Sequence, residues 1–296
     1  MKAAVYRGPN DVRLEEVPVP SIGQGEVLLQ VEACGVCGTD LKKIAHADVP
    51  PPRIFGHEVA GRIAQVGPGV SRWRVGDRAV FFHHIPCRRC ELCLQKAYAQ
   101  CPRYLKVGTT AGFEPAGGGF AEFVRVMDWI VEEGLLPVPE GISSEEAAFV
   151  EPVNTCLKGI EKAQIRPGDS VVLLGAGPVG LLLLQLARLR GGKVSVIDPI
   201  PERLRIAKTL GAEDTSIRRP GEADVALVAT AATAAISDAL ASVRPAGRVV
   251  LFAQTRVGEK VRVDVGQIGK LEKDLVGSYS ASVDLQEEAA DLVFSR

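Results

Sequence analysis

Excess charge of either sign is missing from this chain. Its 35 Lys and Arg stand against 36 Asp and Glu, a net charge of −1 over 296 residues. That balance offers no electrostatic handle for nucleic acid or for an anionic membrane. Long apolar runs are missing too. The densest, Val179-Gly-Leu-Leu-Leu-Leu-Gln-Leu-Ala187, is interrupted by Gln185 and followed by Arg188 and Arg190. It falls well short of the roughly 20 residues of a membrane-spanning helix and reads as a buried helix in a large core. The chain opens Met1-Lys2-Ala3-Ala4-Val5-Tyr6 and passes into polar sequence with no apolar signal region, which points to the cytoplasm. Internal repeats and low-complexity tracts are absent. The remaining composition, 46% hydrophobic and 24% charged, is that of an ordinary globular protein long enough for two domains.

Against this plain background four cysteines stand out. Cys87, Cys90, Cys93 and Cys101 form C-x2-C-x2-C-x7-C. Four thiolates in so short a window close a tetrahedral shell around one Zn2+ and leave no position for water, so the metal is structural. A disulfide pair or four unrelated buried thiols are the other readings. Reducing surroundings favour metal over disulfides.

The two halves follow different grammars. In the first, Val27–Ala33, His57–Val66 and Asp77–Phe82 read as strands at short spacing, punctuated by Gly67-Pro68-Gly69, the pattern of a β barrel or sandwich. Near residue 150 the pattern changes. Ser143-Ser-Glu-Glu-Ala-Ala has the form of a helix start. Beyond it, strands at Val171–Leu174, Val194–Ile197, Val225–Ala229, Arg248–Phe252 and Leu275–Gly277 alternate with helices at Pro178–Leu189, Pro201–Leu210, Ala234–Val243 and Asp284–Phe294. Such alternation predicts a doubly wound parallel sheet covered on both faces. The boundary is expected between Glu151 and Ile165, dividing the chain into residues 1–152 and 153–296, with the cysteine lobe at about 86–103.

The first strand of the second half runs into Gly175-Ala-Gly-Pro-Val-Gly180 and then a helix. In this context Gly175 permits the tight turn, Gly177 admits a pyrophosphate, and Gly180 lets the helix approach the strand. Pro178 and Val179 complete the loop at the helix N-terminus, where free N–H groups meet phosphate. The next strand ends on Asp198, about twenty residues on, placed for a ribose 2′-OH. A carboxylate there repels a 2′-phosphate, so NAD is favoured over NADP. Arg203 is near enough to stack on adenine or to soften that preference. The competing reading is an ordinary glycine turn in an α/β protein.

Upstream, Cys37-Gly-Thr-Asp40 and Gly56-His57-Glu58 are each weak signals alone. Together with Gly118-Gly-Phe-Ala-Glu122, Glu151-Pro152, the cysteine lobe and the glycine loop, they span the chain in one order. In this the chain resembles the zinc-dependent medium-chain dehydrogenases of the alcohol dehydrogenase superfamily, closest to the polyol (sorbitol- or iditol-type) and threonine dehydrogenases. The resemblance implies an α/β protein with a β-rich, GroES-like barrel as catalytic domain and a Rossmann domain for NAD. It implies two zinc ions, one structural and one catalytic. Cys37 and His57 would be the first two ligands of the catalytic zinc and Glu151 the third, with Glu58 as alternate ligand. Asp40 would hold the His57 ring. Cys156 competes for the third place but fits a buried thiol better, and Cys34 reads as core. The implied activity is oxidation of a secondary alcohol, a polyol or amino alcohol, ionised on the zinc. Thr39 takes the proton and NAD+ the hydride. A dimer or tetramer is implied as well.

Three departures qualify this. Where many relatives carry a relay histidine, this chain has Lys42, followed by Lys43, with His46 out of register. The third strand of the second half appears reduced, because only a short segment follows Asp214–Ile217 before the next strand, and a parallel crossover normally needs a dozen residues or more. The chain also ends at Arg296, earlier than the family pattern, so a trimmed carboxyl-terminus is expected. Threonine 3-dehydrogenase, or a non-catalytic NAD-binding zinc scaffold, are the alternative functions.

Overall fold

The computed structural model describes residues 1–46, 49–104, 109–113, 117–216, 222–255 and 258–295. Contacts divide it into two units: Met1–Asn154 together with Ala281–Arg296, and Thr155–Ser280.

Among the described residues, the first unit is built on nine strands: β1 (Lys2–Gly8), β2 (Asp11–Glu16), β3 (Val27–Gly35), β4 (Arg53–Ile54), β5 (Glu58–Val66), β6 (Arg78–Phe81), β7 (Thr109–Thr110), β8 (Phe123–Val126) and β9 (Leu135–Pro137). They form a six-stranded antiparallel sheet in the order β7-β8-β3-β5-β6-β9 and a smaller one, β2-β1-β4. Val27, Leu29, Val59, Ile63, Val124 and Val126 alternate inward from three adjacent strands and share one core with Phe81, Phe82 and Ile130. Among the described residues, five helices start in this unit's Met1–Asn154 segment: α1 (Gly38–His46), α2 (Glu91–Leu94), α3 (Asp128–Glu133), α4 (Ser144–Ala147) and α5 (Val150–Ala163). The helix start expected at Ser143 is a capping box: the Ser143 hydroxyl accepts from Glu146 N–H, and the Glu146 carboxylate accepts from Ser143 N–H. α4 stops after four residues, and α5 then runs across the division between the units.

The second unit is a parallel sheet of β10 (Ser170–Leu174), β11 (Lys193–Ile197), β12 (Asp214–Ser216), β13 (Ala223–Val228), β14 (Val243–Leu251) and β15 (Asp274–Gly277). Its order is β12-β11-β10-β13-β14-β15. Helices α6 (Pro178–Leu189), α7 (Pro201–Thr209), α8 (Ala234–Ser242) and α9 (Val265–Lys270) alternate with the strands. From β10 the chain winds first one way, through β11 and β12, then the other, through β13 to β15. β10 therefore borders the topological switch point, where such sheets bind ligands. Leu173 and Val172 on β10, with Ala226 and Leu227 on β13, are fully buried. The reduced third strand is β12, three residues long and paired parallel to β11. Its crossover, residues 217–221, lies outside the described residues.

One segment departs from the sequence expectation. α10 (Gln286–Phe294) was assigned to the second half by its position after β15, yet Ala281–Arg296 contacts the first unit. Asn154 brackets Ser282, donating to its carbonyl at 3.0 Å and accepting from its N–H at 2.8 Å. Tyr104 Oη donates to Ala281 O, and Gln286 donates to Glu133 O. Ala281 and Val283 enter the core that holds Cys93, Tyr98 and Ala99. Helical periodicity reports that a face is apolar but not which surface covers it, so sequence order alone assigned this helix differently.

Leu173 is fully buried and Leu189 is 68% exposed. We expect Leu173→Ala to cost about 2–5 kcal/mol and Leu189→Ala no more than about 0.5 kcal/mol, measured by urea unfolding followed by circular dichroism.

Candidate metal centres and nucleotide loop

Strand register builds the first centre. β3 and β5 pair antiparallel, with Gly35 opposite Glu58 and Cys34 opposite Val59. Cys37 lies two residues beyond the end of β3 and His57 one residue before β5, so the pairing brings them side by side. A Cβ on Gly35 would meet the Glu58 carboxylate, which would have to move from its place beside Cys37. Beyond Cys37 the chain turns into α1, whose first turn carries Thr39 and Asp40. Thr39 N–H points at Cys37 Sγ, 3.4 Å away.

Asp40, 2% exposed, joins the two halves of the site. One of its oxygens accepts from Cys37 N–H at 3.1 Å and the other lies 3.3 Å from His57 Nδ1. His57 therefore presents Nε2 on its other edge. Ligand atoms of Cys37, His57 and Glu58 all lie within 4.8 Å of one another. Burial alone would lower the His57 pKa. Hydrogen bonds to Asp40 and Cys37, with the charge of Glu151, outweigh that and hold it well above the ordinary value. Burial raises the Glu58 pKa against the opposing charge of His57. The site thus has a strongly negative field, which a divalent cation would neutralise. Cys, His and carboxylate in one group, with a fourth position free, fit a zinc ion that meets substrate.

Glu151, buried in the first turn of α5, stands outside that close group and acts on His57 through its charge. The carboxylate beside Cys37 and His57 is Glu58, the residue after His57 and the first of β5. Cys34 is pushed up to about 12 by burial and by the Asp40 and Glu58 charges. It is a protonated thiol, as a core residue should be. Cys156 is buried within the second unit, its Sγ 3.9 Å from Val179 O. Lys42 is half-buried on α1, and His46 is exposed at its end. The sequence pattern does not single out His83 and His84, yet the His83 ring lies 5.4 Å from the His57 ring, centroid to centroid. Paired histidines just before the first lobe cysteine are the signal that marks them.

In the second centre, Cys90 and Cys93 sulfurs lie 3.4 Å apart, and Cys87 and Cys93 3.9 Å. A tetrahedral zinc with bonds of about 2.3 Å needs sulfurs about 3.8 Å apart. All four are free thiols, their sulfurs within 4.8 Å of one another. Backbone N–H groups of Arg89 and Cys90 draw the Cys87 thiol down to about 6, while burial pushes Cys93 up to about 12. Four sulfurs this close ionise together only around a cation, so the lobe fits a closed structural site.

In the second unit, Gly175 has φ +103°, a conformation that favours glycine. Gly177 is the N-cap of α6 and Pro178 its first residue. A Cβ on Gly180 would collide with Gly175 O. Asp198, 2% exposed, accepts from Ala176 N–H at 2.7 Å and Ile200 N–H at 2.9 Å. Its two oxygens have about four acceptor sites, so these bonds leave capacity for a hydroxyl. Arg203 lies 3.6 Å from the same carboxylate.

We expect two zinc ions per chain by metal analysis, and one in Cys90→Ser, whose lobe loses its fourth sulfur together with thermal stability.

Comparison with known proteins assigns the chain to a family. The profile described as "Alcohol dehydrogenase GroES-like domain" matches residues 23–140, and that described as "Zinc-binding dehydrogenase" matches residues 178–295. A sorbitol dehydrogenase of Bacillus subtilis (strain 168) is 33% identical over 298 residues, covering 94% of this chain and 82% of that protein. A zinc-binding dehydrogenase from Sinorhizobium meliloti 1021, solved bound to NADP, superposes with a TM-score of 0.88 at 29% identity, covering 99% of this chain and 88% of that one. The 2R,3R-butanediol dehydrogenase from Bacillus subtilis superposes with a TM-score of 0.85 at 26% identity, covering 99% and 88%. With both profiles matched in order and a relative this similar over nearly its whole length, the chain belongs to the zinc-binding medium-chain dehydrogenases of the alcohol dehydrogenase superfamily, in their polyol branch.

Proposed function

We propose that the chain oxidises a secondary alcohol of a polyol to a ketone, with NAD+ as the hydride acceptor. The observation that carries this reading is the grouping of Cys37, His57 and Glu58 around one point, with Asp40 bound to the first two. Zinc held there supplies a Lewis acid that makes an alcohol proton removable near neutral pH.

The chain's own residues do the rest. Cys37, His57 and Glu58 hold the ion, and Glu151 contributes charge. Asp40 keeps the proton on His57 Nδ1, which leaves Nε2 for the metal. Thr39 would accept the alcohol proton on its hydroxyl oxygen while passing its own hydroxyl proton outward. Lys42 lies three residues along α1 and so on the same helix face as Thr39. Gly175, Gly177, Pro178, Val179 and Gly180 seat the pyrophosphate at the start of α6, and Asp198 accepts from a ribose hydroxyl.

The cofactor class is NAD(P). Asp198 favours NAD because its charge repels a 2′-phosphate, and Arg203 tempers that preference. The names of two relatives, a sorbitol and a butanediol dehydrogenase, support a substrate with neighbouring hydroxyls. Among the described residues no helix is long and apolar enough to cross a membrane. β15 forms an edge of the second sheet, with Leu275 and Tyr279 part-exposed, and is the strand along which a second copy would pair.

We expect NADH formation with sorbitol, xylitol, iditol or butanediol, and little with threonine. Cys37→Ser and Glu58→Gln should lower kcat by about 100-fold or more while NADH binding is unchanged. Wild-type turnover by Cys37→Ser would overturn the reading. Asp198→Ala should move the NADP+ to NAD+ ratio of kcat/KM by about tenfold towards NADP+, a difference of about 1.4 kcal/mol.

A further inference from the structure

A column of rings leads from the open metal site to the four-cysteine lobe. The His57 and His83 rings lie 5.4 Å apart and tilted by 53°. The His83 and His84 rings lie 3.6 Å apart, and the His84 and Tyr104 rings 4.4 Å. His83 and Tyr104 are 3% and 1% exposed.

Both chain segments that carry the column are tied to one lobe sulfur. Cys87, three residues after His84, donates its N–H to Cys101 Sγ at 3.3 Å. Tyr104, three residues after Cys101, donates its N–H to the same sulfur. The order of the lobe therefore sets the positions of both His84 and Tyr104.

At the other end, His57 is bonded to Asp40 at Nδ1 and has a second hydrogen bond to Cys37. Where Cys37 and His57 both ligate an ion that second bond is given up, and the ring keeps its contact with Asp40 and its packing against the His83 ring. His83 Nδ1 is itself buried with no hydrogen-bond partner among the described residues. No bond at that nitrogen orients His83, and its ring packs against that of His84, 3.6 Å away. Metal ligands depend on such neighbours to keep their angle, and outer residues of this kind commonly govern metal retention.

We propose that His84 is a positioning residue. Through His83 it holds the His57 ring at the angle at which Nε2 keeps its metal ion, and it thereby couples the four-cysteine lobe to the open site. The proposal rests on the reading of Cys37, His57 and Glu58 as a metal site.

The test is zinc release from the full chain to a chromophoric chelator, with cobalt absorption at the open site as a second readout. We expect His84→Ala to load two zinc ions but release the open-site ion about tenfold faster than wild type, with a shifted cobalt spectrum. His84→Phe, which keeps a ring, should stay within about twofold of wild type. Tyr104→Leu removes the last ring, reads the same coupling should His84→Ala not fold, and should also release faster. Release by these variants at the wild-type rate with an unchanged spectrum, or identical behaviour of His84→Ala and His84→Phe, would overturn the coupling. A wild-type chain that loads one zinc, with Cys37→Ser loading the same, would instead remove the metal-site reading itself.

Discussion

Asp40 ties the open site together. A carboxylate almost wholly withdrawn from water is expensive unless its oxygens are bonded, and here one takes the Cys37 amide while the other meets His57. That single side chain joins the first turn of α1 to the start of β5 and selects which imidazole nitrogen faces the ion. Around it the acids of Glu58 and Glu151 create a field that favours positive charge. Against its burial, hydrogen bonds to Asp40 and Cys37, with the charge of Glu151, raise the His57 pKa, and the same group of acids would suit a divalent cation.

The two candidate metal centres are built on different principles. The lobe is local: three of its four sulfurs fall within seven residues around the short helix α2, so its geometry follows from chain spacing and amide donors. The open site is non-local. Its ligands meet because β3 and β5 pair in one register, and a shift of one residue would turn Glu58 to the opposite face. Gly35 leaves room for the Glu58 carboxylate in its place beside Cys37. The Tyr104 and Cys87 amides on Cys101 then link the local centre to the chain segments that flank the non-local one.

The nucleotide loop shows close agreement between sequence and structure. The Gly175–Gly180 motif needs only a strand before it and a helix after it, and α6 starts at Pro178 as that pattern requires. The placement of Asp198 follows from the same unit, since β11 pairs in parallel with β10 and ends beside the loop. Its hydrogen bond from Ala176 N–H was not legible, because sequence spacing says where a carboxylate lies along a strand and not which amides it meets.

By itself the sequence marked the two-part organisation, the four-cysteine lobe and the nucleotide loop. Each of these rests on spacing along the chain or on a periodicity of two or 3.6 residues. Tertiary structure decided the rest. It placed Glu58, and not Glu151, in the close group with Cys37 and His57, because strand register carries Glu58 there while Glu151 comes from a different element. It returned Ala281–Arg296 to the first unit, because an apolar helix face does not encode the surface that covers it. It also stacked His83, His84 and Tyr104 between the two centres, a contact between segments twenty residues apart that appears only when the chain folds back upon itself.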